Sequence, residues 1–381
     1  MADGILYDAE DLRRYAERFL ARFGVPASDA RIVAGVLVTA DERGIDSHGL
    51  ARLYTYYARR LERKTADASS PTRVMAETPA TLLLDGGNGL GPVVAYRAMS
   101  RCIEKATETG LALVSVRNSN HFGIAGYYAM MALPHGMIGV SLTNSQPFVA
   151  PTYSRAGILG TNPIAVAVPA GSERPFVLDM ATSIVSLGKI QVHSKRQEAI
   201  PLGWGIAKTG EPTVDPDAVL DEGALQPLGG PDYLRGYKGY GLALLVDILA
   251  GVLSGSASGP AVGRPTDDRA ANVGHFFLAV RIDAIRALDL FQGGMDDLIR
   301  EIRQAAKVPG HDRIYIHGEK EFERAERCAV EGVPMLEPVV ESLREIGGRI
   351  GVPFDLVPRP RREEHDAGQS AAGTQKEPRN R

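Results

Sequence analysis

The chain has 381 residues, 44% of them hydrophobic and 23% charged, with a formal net charge of −3. That is globular composition, enough for one large core or two to three domains, and neither basic enough for nucleic acid nor acidic enough for a solvating tail. Two cysteines, Cys102 and Cys328, are too few for a disulfide framework and have no zinc-ligand spacing, so free thiols in a reducing compartment are expected.

The N-terminus carries charges throughout and no signal-type apolar run. Leu12, Tyr15, Leu20 and Phe23 recur at helical spacing over Asp8 to Phe23, with Gly24 as the stop. Ile32, Val33, Val36 and Leu37 repeat the pattern over Ala27 to Arg43, with Ser28 as N-cap, and a third helix is expected from about Ser47 to Leu61. The turn-rich stretch Thr65 to Pro79 marks a boundary. Beyond it the period changes. Strands are expected at Thr81 to Asp85, Leu111 to Val116, Met137 to Thr143, Pro163 to Pro169, Phe176 to Leu178 and Phe276 to Ile282, with helices at Val93 to Thr109 and Ile124 to Leu133. Gly241 to Leu253 is the most apolar segment; it is shorter than the ~20 residues a membrane span needs and contains Asp247, so a buried core helix is expected. Asp296 to Ala306 and Glu319 to Val330 are charged amphipathic helices, and from Arg359 onward a disordered tail is expected. The fold class is α/β. A helical part, residues 1–75 completed by about 296–345, joins an α/β region at 76–295, with the tail at 359–381.

The glycine-rich turn at 86–92 imitates a dinucleotide fingerprint. Counting G-x-G-x-x-G from Gly87 puts Pro92 at the third glycine, and the next strand ends Val116-Arg117 with no acidic residue, so a tight strand-to-helix turn is the better account.

Five segments offer chemistry. Asp46-Ser47-His48 invites a hydrolase reading, but neighbours on a helix point about 100° apart, so Ser47 and His48 are not expected to face each other, and no G-x-S-x-G elbow exists. His48 and Arg52, at i and i+4, suit a carboxylate-bearing substrate: the guanidinium fork holds the carboxylate and the imidazole handles a proton. Spacing alone favours a capped turn with two surface residues. Arg117 to Gly123 places His121 between a strand end and a helix start, a fit place for a catalytic imidazole or an anion, or for a capped turn. Gly160 to Pro163 and Asp179 to Ser183 are turns beside strands. Lys238 to Gly241 opens the apolar helix and offers a phosphate one mobile charge and free N–H groups. Singly, each is more often structural.

Together, DSHGLARL (46–53), NSNHFGIAGYY (118–128), GTNPIAVAVP (160–169), LDMATS (178–183), KGYGLALLVDILAGVLSG (238–255) and GHFF (274–277) resemble, in this order, the malate/L-lactate dehydrogenase family. HGEKE (317–321) resembles the family's PGE-type loop, with His317 where proline stands. The resemblance implies a non-Rossmann NAD(P)-binding domain with a mixed sheet, a helical domain formed by both chain ends, and a cytoplasmic homodimer. It implies transfer of a hydride between NAD(P), NAD preferred, and a small 2-hydroxy or 2-oxo acid of the malate, lactate, sulfolactate or ureidoglycolate type. The alternative is NADPH-dependent reduction of a cyclic imino acid such as piperideine-2-carboxylate. Lys189, where imine reductases tend to carry aspartate, favours the hydroxyacid branch. By the same resemblance His121 is the proton acceptor, Ser47 and His48 are its active-site partners, and Arg52 and Thr161 contact substrate. His121, Phe122, Gly123, Ile124, Ala125, Ser145, Asp179, Met180, Ala181, Lys238, His317, Gly318 and Glu319 contact the cofactor. No histidine or cysteine spacing calls for a metal.

Overall fold

The structure, a computed structural model, describes residues 4–360. Leu12, Tyr15, Phe19 and Leu20 form the buried stripe of α1 (Ala9–Ala21), whose N-cap Asp8 accepts hydrogen bonds from the Glu10 and Asp11 N–H groups. Helix α2 (Ala27–Glu42) packs against α1. Both chain ends enter the same core: Val333–Met335 pairs antiparallel with Ile5–Tyr7, and Val340 and Leu343 of helix Glu337–Ile350 pack with Tyr7 and Leu12.

The second core surrounds a seven-stranded mixed sheet. Its strands are β1 (Arg73–Glu77), β2 (Thr81–Asp85), β3 (Leu111–Ser119), β4 (Met137–Thr143), β5 (Ile164–Val168), β6 (Phe176–Met180) and β7 (Val273–Arg281), in the order β1-β2-β3-β7-β4-β5-β6. Only β2 and β3 run parallel among the described strands of this sheet, joined by the crossover helix α3 (Gly91–Thr109). One βαβ unit in an otherwise antiparallel sheet is not a doubly wound nucleotide fold. Side chains alternate across β7: Phe277 and Ala279 join the core under α3 and α4 (Ala125–Met130), while Phe276 and Leu278 face Val246 of α5 (Tyr237–Asp247). No helix among the described residues is long and apolar enough to cross a membrane.

Several expectations are corrected. The third helix is broken into two 3₁₀ turns (Asp46–His48 and Leu50–Arg52), a π segment (Leu53–Ala58) and one α turn (Arg59–Glu62). The boundary stretch contains β1, a fully exposed edge strand with no apolar alternation to betray it. Strand β3 runs on to Ser119, three residues past its expected end, because β7 continues to pair with it as far as Val273–Ser119. The apolar helix starts at Tyr237, continues as a π segment (Ile248–Val252), and is not buried all round: Leu244, Leu245, Ile248 and Val252 are exposed. Arg359 still donates its N–H to Leu6 O at 2.8 Å, and the expected tail from residue 361 lies outside the described residues.

Candidate active site

The glycine-rich turn after β2 holds the loop that carries His121. Asn120 donates through Nδ2 to Gly89 O at 2.8 Å and to Asn88 O at 3.1 Å. A Cβ on Gly91 would lie 2.2 Å from the carbonyl oxygens of both Asn120 and His121, so only glycine lets α3 start this close to them. The turn therefore fixes where His121 leaves β3.

His121 Nδ1 lies 3.0 Å from the buried Tyr57 hydroxyl and accepts the Gly123 N–H at 3.3 Å. Its ring stacks on His48 at 5.5 Å between centroids and meets Tyr56 edge-on at 4.7 Å. Below, Phe122 stacks on fully buried His275 at 4.7 Å, and His275 bonds Ser119 Oγ through Nε2 and Thr143 Oγ1 through Nδ1, each at 2.8 Å. Burial, then the neighbouring His48 and Arg52, holds His121 well below the usual imidazole range. Burial and then Arg52 bring His48 to about 4, and burial brings His275 to about 3. All three rings are neutral near pH 7.

Ser47 Oγ sits 2.8 Å from His48 Nδ1, against the expectation that the two side chains diverge. The 3₁₀ turn replaces the helix on which that expectation rested. Arg52 donates from Nε to Ser47 O at 2.6 Å and lies over the Tyr56 ring at 4.9 Å, leaving its two terminal amino groups without a protein acceptor among the described residues. That is a free fork of the kind that grips a carboxylate.

One cavity collects Ser47, His48, Arg52, His121, Phe122, Gly123, Ser145 and Thr161 from the expected set, and adds Tyr56 and Arg60. Thr161 N–H donates to Ser145 Oγ at 3.0 Å. A second cavity takes in Asp179, His317 and Gly318, with Arg43, Gly126, Lys320 and Glu321. Asp179 accepts the Gly126 N–H at 2.7 Å, and burial raises its pKa to about 6. The remaining expected residues line neither cavity. Ile124 and Ala125 are buried, Met180 ends β6 with Ala181 after it, and Lys238 is exposed on the first turn of α5. The buried Glu319 carboxylate is engaged by Arg303, by Arg313 at 3.3 Å and by the Ile316 N–H at 2.9 Å. The sequence reading missed Tyr56, Tyr57, Arg60 and Arg43. None stands in a motif, and each gains its place through contacts between distant segments.

A family model described as malate/L-lactate dehydrogenase matches residues 7–344. The chain is 47% identical over 344 residues to a malate dehydrogenase of Pyrococcus abyssi, covering 90% of this chain and 94% of that one. It is 37% identical over 333 residues to an L-sulfolactate dehydrogenase of Methanocaldococcus jannaschii, covering 87% and 94%. The structure of a Pyrococcus horikoshii malate dehydrogenase superposes with a TM-score of 0.86 at 43% identity, over 92% of this chain and 97% of that one. The fold is that of these dehydrogenases, and the chain is an NAD(P)-dependent oxidoreductase acting on the CH–OH group of 2-hydroxy acids. The chain belongs to the malate/L-lactate dehydrogenase family.

Proposed function

We propose that this enzyme interconverts malate, or a 2-hydroxy acid of similar size and double negative charge, with its 2-oxo acid. The observation that carries the reading is the meeting of the His121 imidazole and the free fork of Arg52 in one cavity. Arg60, whose terminal nitrogens already donate to the Arg264 and Arg269 carbonyls, adds a second positive charge to that cavity, and this charge together with the identity to malate dehydrogenases supports a second carboxylate on the substrate.

Arg52 takes the C1 carboxylate through its terminal amino groups and turns C2 and its oxygen toward His121. NAD(P) supplies the acceptor or donor of the hydride when bound. Gly123 N–H and the Tyr57 hydroxyl both face Nδ1, which leaves Nε2 to the cavity. In the reducing direction the ring first takes up a second proton; the imidazolium then gives Nε2–H to the carbonyl oxygen and is left neutral, its remaining proton on Nδ1 toward the Tyr57 oxygen. In the oxidising direction a neutral ring holds its proton on Nδ1, where the Tyr57 oxygen accepts it, and Nε2 takes the hydroxyl proton. Such help contributes on the order of 10²–10⁴-fold. Thr161 and Ser145 offer hydroxyls to the rest of the substrate or to the nicotinamide side. The exposed apolar face of α5 supports a further element of the proposal, pairing of two copies of the chain.

The test is absorbance at 340 nm with malate, lactate, sulfolactate and ureidoglycolate against NAD+ and NADP+, and with piperideine-2-carboxylate and NADPH in reverse. Malate is expected to give the highest kcat/KM, and His121→Asn to lower kcat about a hundredfold with NAD(P) binding kept. Dominant imine reduction overturns the substrate class. Near-normal turnover of His121→Asn removes the imidazole from the mechanism.

A further inference from the structure

Arg43 follows the last turn of α2 and is 8% exposed. Its guanidinium lies over the Phe322 ring, Cζ 4.7 Å from the centroid, and lines the second cavity. No guanidinium nitrogen has a hydrogen-bond acceptor among the described residues. The side chain as a whole is sunk in the wall while its donors open onto the cavity, where an arriving acceptor can complete them.

The same cavity receives the first turn of α6 (Glu319–Glu331) through Gly318, Lys320 and Glu321. Glu319 N–H reaches Ile316 O at 3.1 Å and Phe322 N–H reaches Gly318 O at 2.9 Å. The N–H groups of Lys320 and Glu321, between them, have no acceptor among the described residues. Free N–H groups at the positive end of a thirteen-residue helix favour an anion, and Arg43 adds a full charge. The carboxylates of Asp179 and Glu321 lie on the same walls. They repel a bare inorganic anion, but they accept hydrogen bonds from the hydroxyls of a sugar. Cation, free N–H groups and carboxylates together match a phosphate ester of ribose.

We propose that Arg43 is a phosphate-binding residue for the dinucleotide, with the first turn of α6 as the second half of the seat and Asp179 and Glu321 on ribose hydroxyls. The phosphate is either the diphosphate bridge or the 2′-phosphate of NADP. The inference rests on the reading that the dinucleotide lies against Asp179 and His317. The structural alternative is that Arg43 serves only as a fixed counter-charge to the two carboxylates.

The test is direct binding to the full-length chain: fluorescence titration with NADH and NADPH, and displacement by ADP-ribose. Arg43→Met keeps an apolar stem on Phe322 and removes the fork. It is expected to raise the Kd for NADPH tenfold or more, and that for NADH and ADP-ribose equally if the diphosphate is the group held, while leaving the KM for the hydroxy acid unchanged. An equal loss for NADH and NADPH assigns the diphosphate, and a loss confined to NADPH assigns the 2′-phosphate. Unchanged Kd for both, in a variant with the wild-type circular dichroism, overturns the proposal and leaves the counter-charge. If Arg43→Met does not fold, Arg43→Lys decides: a lost fork raises Kd threefold or more, and an unchanged Kd overturns the proposal. Wild-type protein that binds NADH without displacement by ADP-ribose sinks the underlying placement, and with it this assignment.

Discussion

A backbone N–H only donates, so in the resting neutral ring the Gly123 contact makes Nδ1 of His121 an acceptor and puts the proton on Nε2; the tautomer that takes the substrate's hydroxyl proton carries its own on Nδ1 and exchanges the Gly123 contact for the Tyr57 oxygen. Tyr57 is the side chain that can follow a change of tautomer, because a hydroxyl both donates and accepts. Tyr57→Phe is therefore expected to lower kcat about tenfold, the worth of one hydrogen bond near 1.4 kcal/mol, with cofactor Kd unchanged. Nitrogen-15 shifts of His121 should change with it. An unaltered kcat with unaltered shifts reduces Tyr57 to a packing residue. The motif carrying His121 and the motif carrying Arg52 are both legible in sequence, since each is a run of unusual polar residues beside an apolar element. Tyr57 is not legible. It stands in what reads as an ordinary helix, where an aromatic residue is core by default, and its hydroxyl meets a group 64 positions away.

Between Asp46 and Glu62 the chain spends a 3₁₀ turn, a second 3₁₀ turn and a π segment before regaining α geometry, and the site depends on this irregularity. Asp41 Oδ2 accepts the Leu50 N–H at 2.8 Å, and a Cβ on Gly49 would fall 1.8 Å from Asp41 Oδ1. The buried carboxyl therefore pins the turn that brings Ser47 to His48. Periodicity cannot report this, because the apolar residues that face the core keep helical spacing while the polar ones turn. The same limit hid the character of α5. The sequence of α5 and of the π segment that continues it is largely apolar, which reads as burial, yet Leu245 of the helix and Ile248 and Val252 of the π segment lie open to solvent. An apolar row of that length on one element is expected to be covered by a second copy of the chain. Sedimentation equilibrium should give a dimer, and Ile248→Asp should shift it toward monomer. A wild-type monomer at every concentration removes the pairing.

At the scale of the molecule, the sheet order and the shared core of the two chain ends follow from pairings that no local pattern encodes. The strands themselves are legible from short apolar runs, and the exposed β1 is missed for want of one. The same burial that shapes the core also sets the response to acid. His275 has an ordinary pKa near 6.5 once unfolded, but burial lowers it to about 3 in the fold, where both nitrogens already bond hydroxyls. Between those values the unfolded chain binds the extra proton, so stability falls as pH falls from about 6.5 toward 3, by at most about 1.4 kcal/mol per pH unit for this group. Asp179 acts oppositely: its pKa is raised to about 6, so its protonated form stabilises the fold at low pH and that contribution is lost as pH rises through 6. The total slope mixes these, and comparison with a variant separates them. Urea unfolding of wild type and His275→Gln should differ in proton linkage by close to one proton between pH 4 and 6, with the variant flatter, whatever its absolute stability. Equal slopes would mean that His275 is protonated in the folded state, and its bonds to Ser119 and Thr143 would then have to be redrawn with both ring nitrogens as donors.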